Sequence, residues 1–162
     1  MGVYDRYKRD PSGFRKMVEL LETTPISRRQ RMIEVGMDED PEYTRELLSY
    51  MITFEDVLNL PDLELAELLS STPPRVVATA IAKASVEVRE RFTRNTLPRN
   101  LAEMRDSIEA VGVDPPLREI GGAQLKMIEF ARKLEKTGKI KSKRIPEGAG
   151  RKMVSSEDED ES

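Results

Sequence analysis

Residues 98–112 read PRNLAEMRDSIEAVG, and this stretch decides the fold class. Leu101, Met104, Ile108 and Val111 recur at intervals of three and four, the stripe that an α-helix lays against a core. Proline can open a helix because the first amides have no intrahelical partner, and glycine can close one by taking a left-handed conformation. Pro98 and Gly112 therefore predict a helix over 98–111. Arg99, Glu103 and Asp106 fall at i, i+4 and i+7, on the side of the wheel away from the apolar set.

The same grammar runs outward in both directions. Upstream, Ser85 predicts a capped helix carrying Val86, Val88 and Phe92 to about Thr96. Thr72 with Pro73 opens another through Lys83, and Asp62–Ser70 and Phe54–Leu60 are two more. Downstream, Pro115 starts a last helix with Leu117, Ile120, Met127, Ile128, Ala131 and Leu134 on one side, ending before Gly138. Gly121 and Gly122 should weaken or bend its first turns, since glycine is a poor helix former. Nearer the N-terminus, Phe14, Met17, Val18 and Leu21 predict a helix over 13–22 with Ser12 as its cap. Ile26 to Val35 predicts a second helix stopped by Gly36, and Asp40 followed by Pro41 predicts a third that ends near Tyr50. No window alternates with period two, so the expected class is all-α.

Composition narrows the function. The chain of 162 residues has no Cys and no His, which removes disulfides, imidazole bases and the usual zinc ligands, and no cofactor is called for. No carboxylate pair, Gly-rich phosphate loop or nucleophile with an adjacent base stands out, so an enzyme is not expected. A net charge of −3 with mixed signs argues against nucleic-acid binding. Apolar runs are short and the first residues are charged, so neither membrane insertion nor a secretory signal is expected, and the location should be cytoplasmic. Partners are expected to be proteins. From Lys139 the apolar periodicity stops, and a basic run precedes SSEDEDES. Residues 141–162 are therefore expected to be a disordered charged tail, dispensable for folding, and residues 1–12 an N-terminal extension. The tail reads either as a solubilising end or as a basic segment masked by its own acidic terminus.

Four segments in order, LLSYMITFEDVLNL (47–60), ASVEVRERFTRN (84–95), LAEMRDSIEAVG (101–112) and AQLKMIEFARKLEKTGKI (123–140), resemble the C-terminal part of the bacterial flagellar motor switch family FliG. Residues 14–51, which include DEDPEY, are similar to that family's preceding helical repeat. The resemblance implies an armadillo-like repeat at 13–50, a hinge at 51–54 (Met51, Ile52, Thr53, Phe54) and a six-helix domain at 55–140. Met51 and Phe54 are expected to pack rather than face solvent. The family's N-terminal domain and its Glu-His-Pro-Gln surface have no counterpart here, so the chain reads as a fragment-length relative.

In that family, charges on a surface helix meet opposite charges on the cytoplasmic loop of the stator protein MotA. The resemblance places the family arginine at Arg99 and the first of two adjacent aspartates at Asp106, with Ser107 at the second. The family's upstream lysine aligns with Ala82, with Lys83 one residue later, and Arg118 is the nearest match to a later arginine. Glu103 shares the face with Arg99 and Asp106. The implied function is a flagellar rotor or switch-complex role through stator, switch-complex or FliG-like partners. The other reading is a FliG-like adaptor without a motor role, which binds a partner helix in the groove of the repeat.

Overall fold

A computed structural model describes residues 3–150, and among these every regular element is helical. The helices are α1 (Val3–Arg9), α2 (Gly13–Thr23), α3 (Ile26–Glu39), α4 (Pro41–Tyr50), α5 (Phe54–Leu58), α6 (Asp62–Ser71), α7 (Pro74–Ala80), α8 (Val86–Arg94), α9 (Pro98–Val111) and α10 (Leu117–Lys136). The all-α expectation holds. The chain divides into two compact units, one of residues up to Met51 together with those from Lys143 onward, the other Ile52–Ser142.

In the first unit, α2 and α4 supply Phe14, Met17, Val18, Leu21, Tyr43 and Leu47 to a common core. The rings of Phe14 and Tyr43 meet edge to face with centroids 5.6 Å apart, and Phe14 makes a like contact with Tyr50. Asp40 caps α4 by accepting from the Tyr43 amide at 3.1 Å. The sequence expectations need correction at several points. Residues 1–12 are not a mere extension: α1 buries Tyr4 in this core, the Tyr4 hydroxyl donates to the Met32 carbonyl, and Lys8 pairs with Asp40. Gly36 does not stop α3. It lies inside the helix, where a Cβ would come within 2.6 Å of Thr44 Oγ1 and the Tyr4 side chain, so glycine serves close packing and not a cap. Ser12 precedes α2, but its hydroxyl donates to Asp10 instead of capping the helix.

The largest correction concerns the tail. Ile145 is only 5% exposed and belongs to the core of the first unit, with Ala149 packed alongside it. Arg15 donates to the Ile145 carbonyl, and Lys143 Nζ donates to the Ser49 carbonyl at 3.2 Å. Residues 143–150 thus form a packed strap, built on one isolated isoleucine that no periodicity reveals. Residues 151–162, the acidic end of the expected tail, lie outside the described residues.

In the second unit, α5 to α10 enclose Val57, Leu65, Leu68, Val77, Ile81, Phe92, Met104 and Met127, all buried. Ser85 caps α8 by accepting from the Val88 amide at 3.2 Å. Thr72 closes α6 instead of opening α7, with its hydroxyl donating to the Leu68 carbonyl. Helix α10 runs unbroken through Gly121 and Gly122, whose missing Cβ positions face open space. Leu117, expected on its inner side, is 72% exposed. The buried stretch of α10 also carries an ion pair, Arg132 Nη1 to Glu135 Oε1 at 2.6 Å. The unit continues past α10, because Ile140 is buried in its core and the Glu64 carboxylate accepts from the Lys141 amide at 2.7 Å.

Candidate functional site

Helix α9 presents the charges singled out above. Pro98 sits at its first position, and at its end Gly112, with φ of 72°, donates its amide to the Ile108 carbonyl at 3.0 Å. Met104 anchors the inner side in the core. Leu101, Ile108 and Val111, expected in the core beside it, are only half-buried. On the outer side Arg99, Glu103 and Asp106 are all exposed, and among the described residues none of the three enters an ion pair. These three residues therefore hold two negative charges and one positive charge toward solvent on a helix anchored by Met104, and Arg105 and Glu109 are exposed on it as well.

The other candidates are placed differently. Lys83, after α7, pairs with Asp114 at 3.5 Å, a surface contact in which both side chains stay wet and which is worth roughly 0–1 kcal/mol. Arg118 is exposed on the first turn of α10. Ala82, aligned with a charged position of the family, is buried, so a charge at this position would have to displace core contacts.

At 51–54, Met51 is buried in the core of the first unit and Ile52 in that of the second. Thr53 is exposed and caps α5 in a reciprocal arrangement: its hydroxyl accepts from the Asp56 amide at 3.1 Å, and the Asp56 carboxylate accepts from the Thr53 amide at 2.8 Å. Phe54 is half-buried against the second core.

Sequence reasoning missed a groove between α8 and α9. It has a volume of about 580 Å³. Leu101 and Ile108 line it together with Val86, which is 55% exposed. Arg89, Arg94 and Arg105 supply positive charge, against Glu90 alone of the opposite sign. The signal that could have found it is the interleaving of arginines with the apolar positions of both helices, which leaves the facing stripes too small to close against each other. Chemically the surface offers charge and apolar contact. Among the described residues no group of three or more acidic side chains is placed to hold a metal ion, and no helix is long and apolar enough to cross a membrane.

A family profile described as the FliG C-terminal domain matches residues 37–141. The flagellar motor switch protein FliG of Thermotoga maritima is 28% identical over 142 residues, which cover 88% of this chain and 41% of that protein. FliG of Borreliella burgdorferi is 27% identical over 129 residues, covering 79% and 37%. The chain thus spans about two-fifths of the length of these curated relatives. A crystal structure of FliG residues 86–343 from H. pylori superposes with a TM-score of 0.58 at 19% identity, over 79% of this chain and 60% of that one, which is likeness of fold alone. Full-length FliG from Aquifex aeolicus gives 0.51 at 27% identity, over 80% and 40%. With the profile covering well over half its length, this chain belongs to the FliG C-terminal domain family.

Proposed function

We propose that this chain is a flagellar motor switch or rotor-associated protein that works by protein contact and not by catalysis, on the cytoplasmic side of the membrane. Family membership supports the motor assignment. The contact surface is the outer face of α9, where Arg99, Glu103 and Asp106 stand exposed, and this observation carries the reading. Its partner is a stator loop of the MotA kind bearing complementary charges, with Lys83 and Arg118 as flanking contributors. A rigid helix that presents unpaired charges suits a contact that forms and breaks repeatedly, because such charges steer association and cost little to release. Met51, Ile52, Thr53 and Phe54 act as the hinge between the units, which would let a switch complex reorient the α9 face.

A second reading, a FliG-like adaptor without a motor role, is favoured by the α8–α9 groove, whose apolar lining and arginine rim suit an amphipathic helix with acidic flanks. Charge reversal separates the two. Arg99→Glu and Asp106→Arg in the full chain should impair motility and stator-loop binding, with normal folding and with rescue by the compensating reversal on the loop. Reversals that fold normally and leave both intact would overturn the motor reading.

A further inference from the structure

Helix α3 is charged against its own dipole. The N-terminal end of a helix carries partial positive charge and its C-terminal end partial negative charge, so acids favour the first turn and bases the last. In α3 the first turn has no acid and the last turn no base. Arg28 and Arg29 crowd its start, with Arg31 just beyond them, while Asp38 and Glu39 crowd its end behind Glu34. The arrangement works against the helix that bears it, so its rationale lies outside that helix.

The outward stripe of α3 shows what would complement it. Arg28, Arg31, Val35 and Asp38 are spaced by three, four and three residues and lie along one side of the helix, with Glu34 adjoining them. All five are exposed, and Val35 is an apolar residue 43% exposed at the middle of the stripe. None of the four charged side chains enters an ion pair among the described residues. The inner side of α3 is meanwhile committed, because Gly36 sits against Thr44 of α4 and Tyr4 of α1.

We infer that this stripe is a contact between two copies of the chain, with α3 lying antiparallel to α3 of a second copy about a two-fold axis. Antiparallel pairing about the centre of the stripe puts Arg28 opposite the second copy's Asp38, and Arg31 opposite its Val35 and within reach of its Glu34. Symmetry doubles each pair. The stripe is self-complementary only in this direction, since a parallel pairing would set base on base and acid on acid. An isologous contact of this kind needs one patch that is its own complement, and the basic half and acidic half of α3 meet that condition. The antiparallel pairing also brings each end of the helix dipole near the opposite end of its neighbour, which offsets the misplaced charges. Because the contact is short and its pairs are exposed, the association is weak and salt-sensitive.

The test uses the full chain in sedimentation velocity at low ionic strength. The wild type should associate reversibly with rising concentration, and the dissociation constant should rise at least about tenfold when salt screens the pairs. Arg28→Glu alone places acid against Asp38 of the second copy, and Asp38→Arg alone places base against Arg28. Each single variant should therefore be monomeric. Mixing the two restores both pairs in the heterodimer and should restore association to within about threefold of wild type. Folding is controlled by the thermal midpoint, which should stay level or rise in Arg28→Glu, because a carboxylate near the start of a helix is favourable. A wild type that stays monomeric throughout, single variants that associate as wild type does, or a mixture that fails to associate would each overturn the inference.

Discussion

The guanidinium of Arg15 on α2 donates to the main-chain carbonyl of Ile145, 3.2 Å away and 130 residues further along the chain. The contact fixes the strap at the position where the Ile145 side chain enters the core of the first unit beside Phe14 and Met17. The strap closes a side of the helical unit that would otherwise expose apolar surface, as terminal elements of helical arrays do.

Truncation should therefore destabilise the first unit. Ile145→Ala is expected to cost roughly 2–4 kcal/mol, the range for removing a buried isoleucine side chain beyond its Cβ. Deletion of Lys143–Ser162 should cost at least as much. Urea unfolding monitored by circular dichroism provides the measure, and a deletion variant with an unchanged midpoint would show that the strap contributes nothing.

The glycine pair in α10 invites the opposite change. Gly121 and Gly122 lie within an unbroken helix, and apart from the helix's own neighbouring backbone no atom stands within 4 Å of where a Cβ would be placed on either. Replacing each with alanine should stabilise the protein by up to about 1 kcal/mol, since glycine gives up more backbone freedom than alanine in a helix. A fall in thermal midpoint for either variant would contradict this, and Gly36→Ala is the contrasting control. There the new methyl would meet Tyr4 and Thr44 at 2.6 Å, and destabilisation of about 1–3 kcal/mol is expected.

These three glycines mark how far the sequence is legible. Features set by neighbours within a few residues could be read: the caps at Asp40 and Ser85, the Pro98 start and Gly112 stop of α9, and the outward position of Arg99, Glu103 and Asp106. Features set by distant parts of the chain could not. Gly36 resembles a stop signal until Tyr4 and Thr44 are seen against it, and Ile145 is a lone apolar residue in a charged stretch until α2 is seen beneath it. The groove between the consecutive helices α8 and α9 escaped for another reason, although the arginines interleaved with their apolar positions hint at it. Periodicity shows which side of a helix turns inward, but not whether the facing side chains are large enough to fill the space between two helices.

Arg132 and Glu135 are the buried ion pair of α10, with side chains 4% and 1% exposed. Removing one partner leaves the other charge in a low-dielectric surrounding, so Arg132→Met is expected to cost about 3–5 kcal/mol. Replacing both, as Arg132→Met with Glu135→Leu, should recover part of that loss, because neither buried side chain is then left without its 2.6 Å counter-charge. Chemical denaturation of the single and double variants separates the outcomes. Equal costs for the single and the double would mean that packing and not charge dominates the position.

Tyr43 is expected to set the alkaline limit of the first unit. Burial, with smaller contributions from Glu46, Asp40 and Tyr4, pushes its pKa up to about 12, and burial followed by the charge of Glu39 raises that of Tyr4. A phenol whose pKa is higher folded than unfolded binds its proton more tightly in the native state. Its contribution to stability is fully present below the unfolded value near 10 and is lost as pH rises through the folded value. Stability of the first unit should therefore fall across about pH 10 to 12, with tyrosinate absorbance and loss of helical ellipticity moving together. Tyr43→Phe keeps the ring that packs on Phe14 and removes a buried hydroxyl that has no hydrogen-bond partner among the described residues. At neutral pH it should be neutral or stabilising by up to about 1 kcal/mol, and its alkaline transition should move to higher pH. If the transition stays in place while Tyr4→Phe moves it, Tyr4 and not Tyr43 governs the limit. If neither moves it, alkaline unfolding begins outside this core.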